Sequence, residues 1–407
     1  MENRVSRMVL ILLGLLMVVM PSVAAEPKSG TDAYKKGNAC FDKGDYDSAI
    51  DAFTEAIRLD PKDGKSYGNR GRAYAKKGNL DKAFTDCNEA IRLNPKDNMA
   101  YDARGWIYRK RGDFDNAIAD FTEAVRFNRN DANAYYNRGI VYTNKGDFDK
   151  AIADLTEAIR LDPKDATGHF SRAAAYGNKG EYDKAIADFT EAIRIDPKVA
   201  LAFRNRGRTY ASKGDLDKAF ADFAEAIRLN PKDAVVYINR GLAFGKRGEH
   251  DKAIADFTEA IRLNPKDVDV YCSRGVAYEK KGEFDRAIAD FTEAISLDPN
   301  NAVTYDNRGA AYARKREYEK AIADCNEAIR LNPKLVVAYC GRGISYGHTH
   351  EYDKAIADYT DAIRLDPKHA TAYCGRGSAH GQKGEYDNAI ADYTEAIRLD
   401  PKLTEAY

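Results

Sequence analysis

The chain has 407 residues, 44% of them hydrophobic and 31% charged, with only 12 prolines. This composition suits an ordered protein with a continuous apolar core and excludes a disordered or low-complexity chain. Its 64 basic and 64 acidic residues cancel, so no net field favours nucleic acid or an anionic membrane as partner.

In chain order, residues 1–25 come first and stand apart. Arg4 and Arg7 precede the apolar run Met8–Met20, Pro21 breaks it, and Ser-Val-Ala-Ala supplies small residues for cleavage after Ala24 or Ala25. A charged start, a short apolar stretch and a small-residue site are the order of a secretory signal peptide. The run is short for a bilayer span, so export is expected and an uncleaved N-terminal anchor is the alternative. No cysteine stands directly after the cleavage region, which argues against a lipid anchor. Residues 26–29 form a short linker.

From residue 30 the chain repeats itself. Prolines recur at Pro61, Pro95, Pro163, Pro197, Pro231, Pro265, Pro299, Pro333, Pro367 and Pro401, spaced by 34 residues except for one interval of 68, where Arg129 holds the missing beat. Residues 30–403 therefore hold eleven units, and 404–407 open a truncated twelfth. Taking the unit 132–165 as the frame, Tyr135, Arg138, Gly139 and Tyr142 fall on one helical face, as do Phe148, Ala151, Ile152, Leu155, Ala158 and Ile159 after them. Such i, i+3, i+4, i+7 spacing predicts two amphipathic helices. Gly146 ends the first and Asp147 caps the second; Pro163 stops the second and Asp165 caps the next unit. The small residues Gly139, Ala151 and Ala158 let the two helices approach closely.

At these residues the pattern resembles the tetratricopeptide repeat. The period is 34, with Gly at the eighth place, an aromatic at the eleventh, and Ala, aromatic, Ala and Pro at the twentieth, twenty-fourth, twenty-seventh and thirty-second. The resemblance implies an all-α fold, a right-handed α-solenoid (superhelix) of antiparallel helical hairpins, whose first helices line a concave groove that binds protein or peptide segments. Departures are few: Ala173 replaces the glycine, Arg316 and His350 replace the mid-unit glycine, and Ala33 stands where other units carry an aromatic. The carboxylate clamp of cochaperone-type members is absent, because the fifth and ninth places read Gly68/Arg72, Asp102/Trp106 and Tyr136/Ile140.

One departure recurs in ten units: the seventh place, usually leucine in that family, is arginine from Arg70 through Arg138 to Arg376. Ten unpaired, half-buried charges at even ~2 kcal/mol each would exceed a typical net stability, so they must pair or reach water. The acid at the twenty-third place, such as Asp154, Asp188 or Asp256, is the expected partner. Arginines gripping an anion in the groove are the other reading.

Residues that vary between units on one face are free to select a partner. The second, fifth, ninth, twelfth and thirteenth places form such a stripe. Its first half carries Arg72, Trp106, Arg109, Lys110, Tyr136 and Phe170, followed by Arg204 and Arg208, a candidate surface for an acidic segment built from residue types common in binding hot spots. Its second half turns apolar: Val235, Ile238, Leu242, Val276, Val303, Val337 and Ile344 either receive an apolar segment or are buried by neighbouring units. For the last helix, the surface a further unit would cover is expected to include Tyr393, Ile397 and Leu399. Fraying of the monomer or weak end-to-end self-association follows from that.

No motif for catalysis or cofactor binding occurs, neither a G-x-S-x-G, an H-E-x-x-H, a phosphate-cradling loop nor paired cysteines at metal spacing, so no cofactor is expected. His348 and His350, with His369 and His380 nearby, are weak metal candidates. Cys40, Cys87 and Cys325 fall on core positions, while Cys272, Cys340 and Cys374 share one surface place in three units, too far apart for disulfides. The expected function is a non-enzymatic exported scaffold or adaptor. The alternative is a regulatory or substrate-recruiting subunit of a separate enzyme, since the sequence stops four residues into a twelfth unit.

Overall fold

A computed structural model describes residues 29–403, so the expected signal peptide, most of the expected linker and the opening of a twelfth unit at 404–407 lie outside the described residues. Among the described residues there are 22 α-helices and no strand. They are α1 (Gly30–Asp42), α2 (Tyr46–Leu59), α3 (Gly64–Lys76), α4 (Leu80–Leu93), α5 (Asn98–Lys110), α6 (Phe114–Phe127), α7 (Ala132–Lys145), α8 (Phe148–Leu161), α9 (Ala166–Asn178), α10 (Tyr182–Ile195) and α11 (Ala200–Lys213). There follow α12 (Leu216–Leu229), α13 (Ala234–Lys246), α14 (His250–Leu263), α15 (Val268–Lys280), α16 (Phe284–Leu297), α17 (Ala302–Arg314), α18 (Tyr318–Leu331), α19 (Val336–His348), α20 (Tyr352–Leu365), α21 (Ala370–Gln382) and α22 (Tyr386–Leu399). The chain forms two compact units that divide after Lys184. Within each, hairpins follow one another as an α-solenoid, a second helix packing on its own first helix and on the first helix of the next hairpin.

Local chemistry sets these boundaries. Asp131 and Asp165 accept hydrogen bonds from the first amides of α7 and α9, and Asp147 does the same for α8. Gly146 turns the chain between α7 and α8 at φ 79°, the left-handed conformation that closes a helix C-terminus. Arg316 and His350 occupy the same turn at φ 63° and 61°. The hairpin geometry is thus kept without glycine, at a backbone cost of about 1 kcal/mol each.

Most cores pack alanines around one large ring, with Cys87 or Leu155 taking its place elsewhere. Ala287, Phe291 and Ala311 are fully buried, with Tyr278 and Ile288 against them. Close approach is what demands glycine at the eighth place. A Cβ on Gly275 would lie 2.6 Å from a ring carbon of Phe291.

The recurring arginine pairs as its spacing suggests. Arg70, Arg104, Arg138, Arg206, Arg240, Arg274, Arg308, Arg342 and Arg376 each donate through Nε and Nη2 to both oxygens of the aspartate sixteen residues on, at 2.6–2.9 Å. The third nitrogen, Nη1, reaches back one hairpin. Arg70 bonds Thr54, Arg138 bonds Thr122, Arg206 bonds Thr190, and Arg104 and Arg342 bond Asn88 and Asn326, all at 2.6–3.2 Å. The guanidinium is therefore a three-point staple within and between hairpins, facing aspartate and hydroxyl rather than an incoming anion. Ala224 stands at the threonine place before Arg240, whose side chain is 25% exposed where Arg206 is 16%.

No disulfide joins the six cysteines. Burial pushes the Cys87, Cys325 and Cys340 thiols up to about 12, so they stay protonated and poorly nucleophilic. Cys40, Cys272, Cys340 and Cys374 are half-buried, neither core nor open surface.

The face of the last helix differs from the expected one. Tyr386 and Ile390 are open, at 68% and 64% exposure, whereas Tyr393, Ile397 and Leu399 are half-buried. The reason is helical register: Tyr393 turns toward its own hairpin, where its ring would stand 3.3 Å from a Cβ on Gly377 of α21.

Candidate functional site

Six of the stripe candidates lie in the N-terminal compact unit. Arg72 on α3 is half-buried, its guanidinium 5.0 Å over the Phe41 ring and its Nη1 donating to Asn69 at 3.3 Å. Trp106 on α5 wedges between two clusters, one of Ala83, Cys87 and Ile107 and one of Ala117, Phe121 and Val141. Lys110, exposed, covers its ring at 5.3 Å. Arg109 is half-buried, and its Nε is buried without a hydrogen-bond partner. Tyr136 on α7 packs on Ala151, Leu155 and Ala175, and its hydroxyl accepts from Ser171 at 3.4 Å. Phe170 on α9 is also half-buried.

The three aromatics are therefore not the exposed row the sequence suggested. The fifth and ninth places sit where consecutive first helices meet, so a large ring there is half covered by its neighbours. One hollow in this unit, of 320 Å³ and lined by Tyr34, Lys65, Gly68, Asn69 and Met99 among others, includes none of the six.

The other two candidates lie in the C-terminal unit on α11. Arg204 is already paired, its Nη1 2.8 Å from Asp233 with both side chains under 20% exposed. Arg208 is exposed.

Beyond them the stripe opens. Val235, Leu242, Val276, Val303, Val337 and Ile344 are 36–53% exposed; only Ile238 of the apolar set is half covered. Neighbouring hairpins do not bury these residues: the second place is exposed in every unit, and the ninth, half covered as far as Ala174, is exposed from Arg208 onward.

Three hollows line this row. One of 360 Å³ lies between Leu242, Val276 and Phe257, with His250 at its wall. The buried Nδ1 of His250 has no hydrogen-bond partner. A second, of 700 Å³, runs between α17 and α19 past Asp306, Ala313, Val337, Cys340 and Ile344. The third, of 420 Å³, continues from Ile344 and His348 to Tyr359 and Gly375. The small residues Gly341 and Gly375 make room where seven other units carry asparagine or serine.

Asp306 is the one strongly perturbed acid of this row. Burial alone raises its carboxyl from 3.8 to about 6. Sequence reading passed over it, although aligning the units reveals an acid at the fifth place followed by Gly341 at the sixth place of the next unit.

The histidines do not converge. His350 Nδ1 lies 2.7 Å from the Tyr352 hydroxyl, His369 Nδ1 2.9 Å from Thr371, and His380 Nδ1 2.5 Å from Glu385, while His348 stacks on Tyr318 at 4.6 Å. Among the described residues no three His, Cys, Asp or Glu side chains are placed to share a metal. His348 and His350 are thus engaged separately, by ring stacking and by a hydroxyl.

Comparison with known proteins agrees with this architecture. Models of the tetratricopeptide repeat match residues 132–165, 166–199, 268–301, 302–335 and 370–403, and a second matches 34–98. A third, described as a TPR repeat, matches 105–146, 207–248, 246–282 and 351–384. No curated protein matches the sequence. Among solved structures, yeast Tom70 is similar at 19% identity, covering 92% of this chain and 93% of that one, with a TM-score of 0.45. The APC/C hetero-tetramer Cut9-Hcn1 is similar at 16% identity, covering 93% and 95%, with a TM-score of 0.48. YrrB, described as a TPR protein with an unusual peptide-binding site, is 23% identical over 45% of this chain and 95% of its own, with a TM-score of 0.38. With repeat matches falling in both compact units, on the hairpins described above, the chain belongs to the tetratricopeptide-repeat family.

Proposed function

We propose that the chain is a non-catalytic scaffold or adaptor whose C-terminal unit binds an apolar segment of a partner protein along α13, α15, α17 and α19. A helical-hairpin solenoid of this family implies a protein-interaction role. The observation that carries the location is the exposed apolar row from Val235 to Ile344, continuous with hollows deep enough to take side chains. Exposed apolar patches of this kind mark interaction surfaces, and leaving six large aliphatic side chains in water has no structural return within the solenoid.

The two-part groove expected from the sequence keeps its apolar half in this reading. The N-terminal candidates Arg72, Trp106, Arg109, Lys110, Tyr136 and Phe170 form a second surface, supported by the unpartnered Arg109 Nε. Arg204 has its charge matched by Asp233 through Nη1, although its Nε too is buried without a hydrogen-bond partner.

Export is part of the same proposal. It rests on the charged start, the short apolar run and the small residues before Glu26. No helix among the described residues is long and apolar enough to cross a membrane. N-terminal sequencing of native material should begin at Ala25 or Glu26; an intact Met1 on soluble cytosolic protein overturns export.

The groove is tested by photo-crosslinking. Val303 and, separately, Lys110 are replaced by a photoreactive phenylalanine derivative, and apolar dodecapeptides selected on the full chain are added. Capture from position 303 supports the groove. Capture only from position 110 moves the site to the N-terminal unit.

A further inference from the structure

Three pairs of successive first helices are tied by a polar bond at one register. The side chain at the sixth place of one unit donates to the side chain at the fifth place of the unit before. Asn69 donates to the Tyr34 hydroxyl at 3.1 Å, Asn137 to the Asp102 carboxylate at 3.0 Å, and Ser171 to the Tyr136 hydroxyl at 3.4 Å. Asp102 and Asp306 occupy equivalent places. Both are withdrawn from water, but only Asp102 receives its amide. At the position that should serve Asp306 the chain has Gly341, and the nearest carboxylate oxygen would be 3.8 Å from a Cβ there.

No protein group replaces the missing amide. Arg308 and Arg342, the nearest stapling cations, are each held by two bonds to Asp324 and Asp358. Cys325 and Cys340 face the carboxylate as neutral thiols. Glu279 of α15 adds negative charge at the groove, and exposed Arg314 lies on its lining; Tyr318, His348, His369 and Thr371 complete the polar lining. In the free protein this carboxylate has no protein donor and only the water of a 700 Å³ hollow, between exposed Val337 and Ile344, to solvate its charge.

Resting on the groove reading above, we propose that this hollow selects protein segments in which a lysine or arginine side chain stands among apolar ones, the cation binding Asp306. The chemistry matches on both counts. The long methylene stem of such a side chain packs on aliphatic walls while its charged head reaches the acid, and a charge-assisted bond to a desolvated carboxylate outranks a neutral one. A small amine would satisfy Asp306 alone. The apolar row runs on to Val276 and Leu242, well beyond its reach, which favours a chain segment.

The test selects dodecapeptides from one randomised library on four full-length proteins: wild type, Asp306→Asn, Gly341→Asn and Ile344→Asp. Gly341→Asn restores the amide seen beside Asp102 and fits, since a Cβ at 341 meets nothing nearer than Cys325 Sγ at 3.4 Å. The wild-type pool should be apolar with one enriched Lys or Arg. The Asp306→Asn and Gly341→Asn pools should stay apolar and lose that cation. A lysine peptide from the wild-type pool should bind wild type at least about tenfold more tightly than its norleucine twin, and bind Asp306→Asn equally to it. Equal cation frequency in these three pools overturns the proposal while leaving the groove intact. An apolar pattern unchanged by Ile344→Asp overturns the groove reading itself.

Discussion

Asp306 makes a prediction that needs no ligand. Its carboxyl titrates near 6 in the folded protein because burial opposes the charge and nothing compensates it. In the unfolded chain an aspartate titrates near 3.9. The folded side chain therefore holds its proton more tightly. Below about pH 4 it is neutral in both states and costs nothing; between pH 4 and 6 the protein loses stability, and above about 6 the whole penalty is present. At about 1.4 kcal/mol per tenfold in proton affinity, the shift is worth about 3 kcal/mol, and water at the groove mouth trims it to about 1–3. Asp306→Asn removes the charge at constant shape. Amide hydrogen exchange in α17–α19 is the suitable assay, because repeat arrays open locally rather than as one unit. The variant should be more protected than wild type by about 1–3 kcal/mol at pH 7.5 and indistinguishable at pH 4. His348 and His369 line the same groove but are common to both proteins, so they cancel in the difference. Equal protection at pH 7.5, or a larger gap at pH 4, refutes the reasoning.

The staple gives a second prediction: Asp222→Leu should destabilise by about 2–4 kcal/mol and Arg206→Leu by less, since the first leaves a half-buried cation with one weak partner; urea midpoints that move equally little for both would show a pair of no consequence. Ala224→Thr should supply the missing acceptor for Arg240 and raise the protection of α12 and α13 by about 0.5–1 kcal/mol, and an unchanged exchange rate there counts against the three-point staple. Arg316→Gly should stabilise the α17–α18 turn by about 1 kcal/mol, because glycine adopts φ 63° without strain; a lower melting temperature would contradict this.

Much of the fold was legible because each unit repeats the same signals. Gly146, Asp147, Pro163 and Asp165 each act as their residue type suggests, as C-cap, N-cap, stop and N-cap. The staple was legible too: in the first unit the arginine and aspartate places change together, to Lys36 and Ala52. The site was read less well. Coverage at the ninth place changes along the array, from half-buried Trp106 and Ile140 to exposed Leu242 and Ile344, and no single unit shows it, so Trp106 and Tyr136 looked open and are wedged. The valines of the second place looked equally able to be buried and are exposed. Asp306 was invisible within its own unit, because what sets it apart is an asparagine missing 35 residues later, at Gly341.

The central claim is that an apolar protein segment binds along the first helices of the C-terminal unit. It is tested most directly by measuring, by titration calorimetry, the affinity of one selected apolar peptide for wild type, for Val337→Asp/Ile344→Asp and for Trp106→Ala. Both aspartates would sit on exposed positions, so the helices should remain folded. The groove account expects at least about a tenfold loss for the double variant, the scale of a central interface residue, and no change for Trp106→Ala. Full affinity in the double variant, with binding lost in Trp106→Ala, would contradict it.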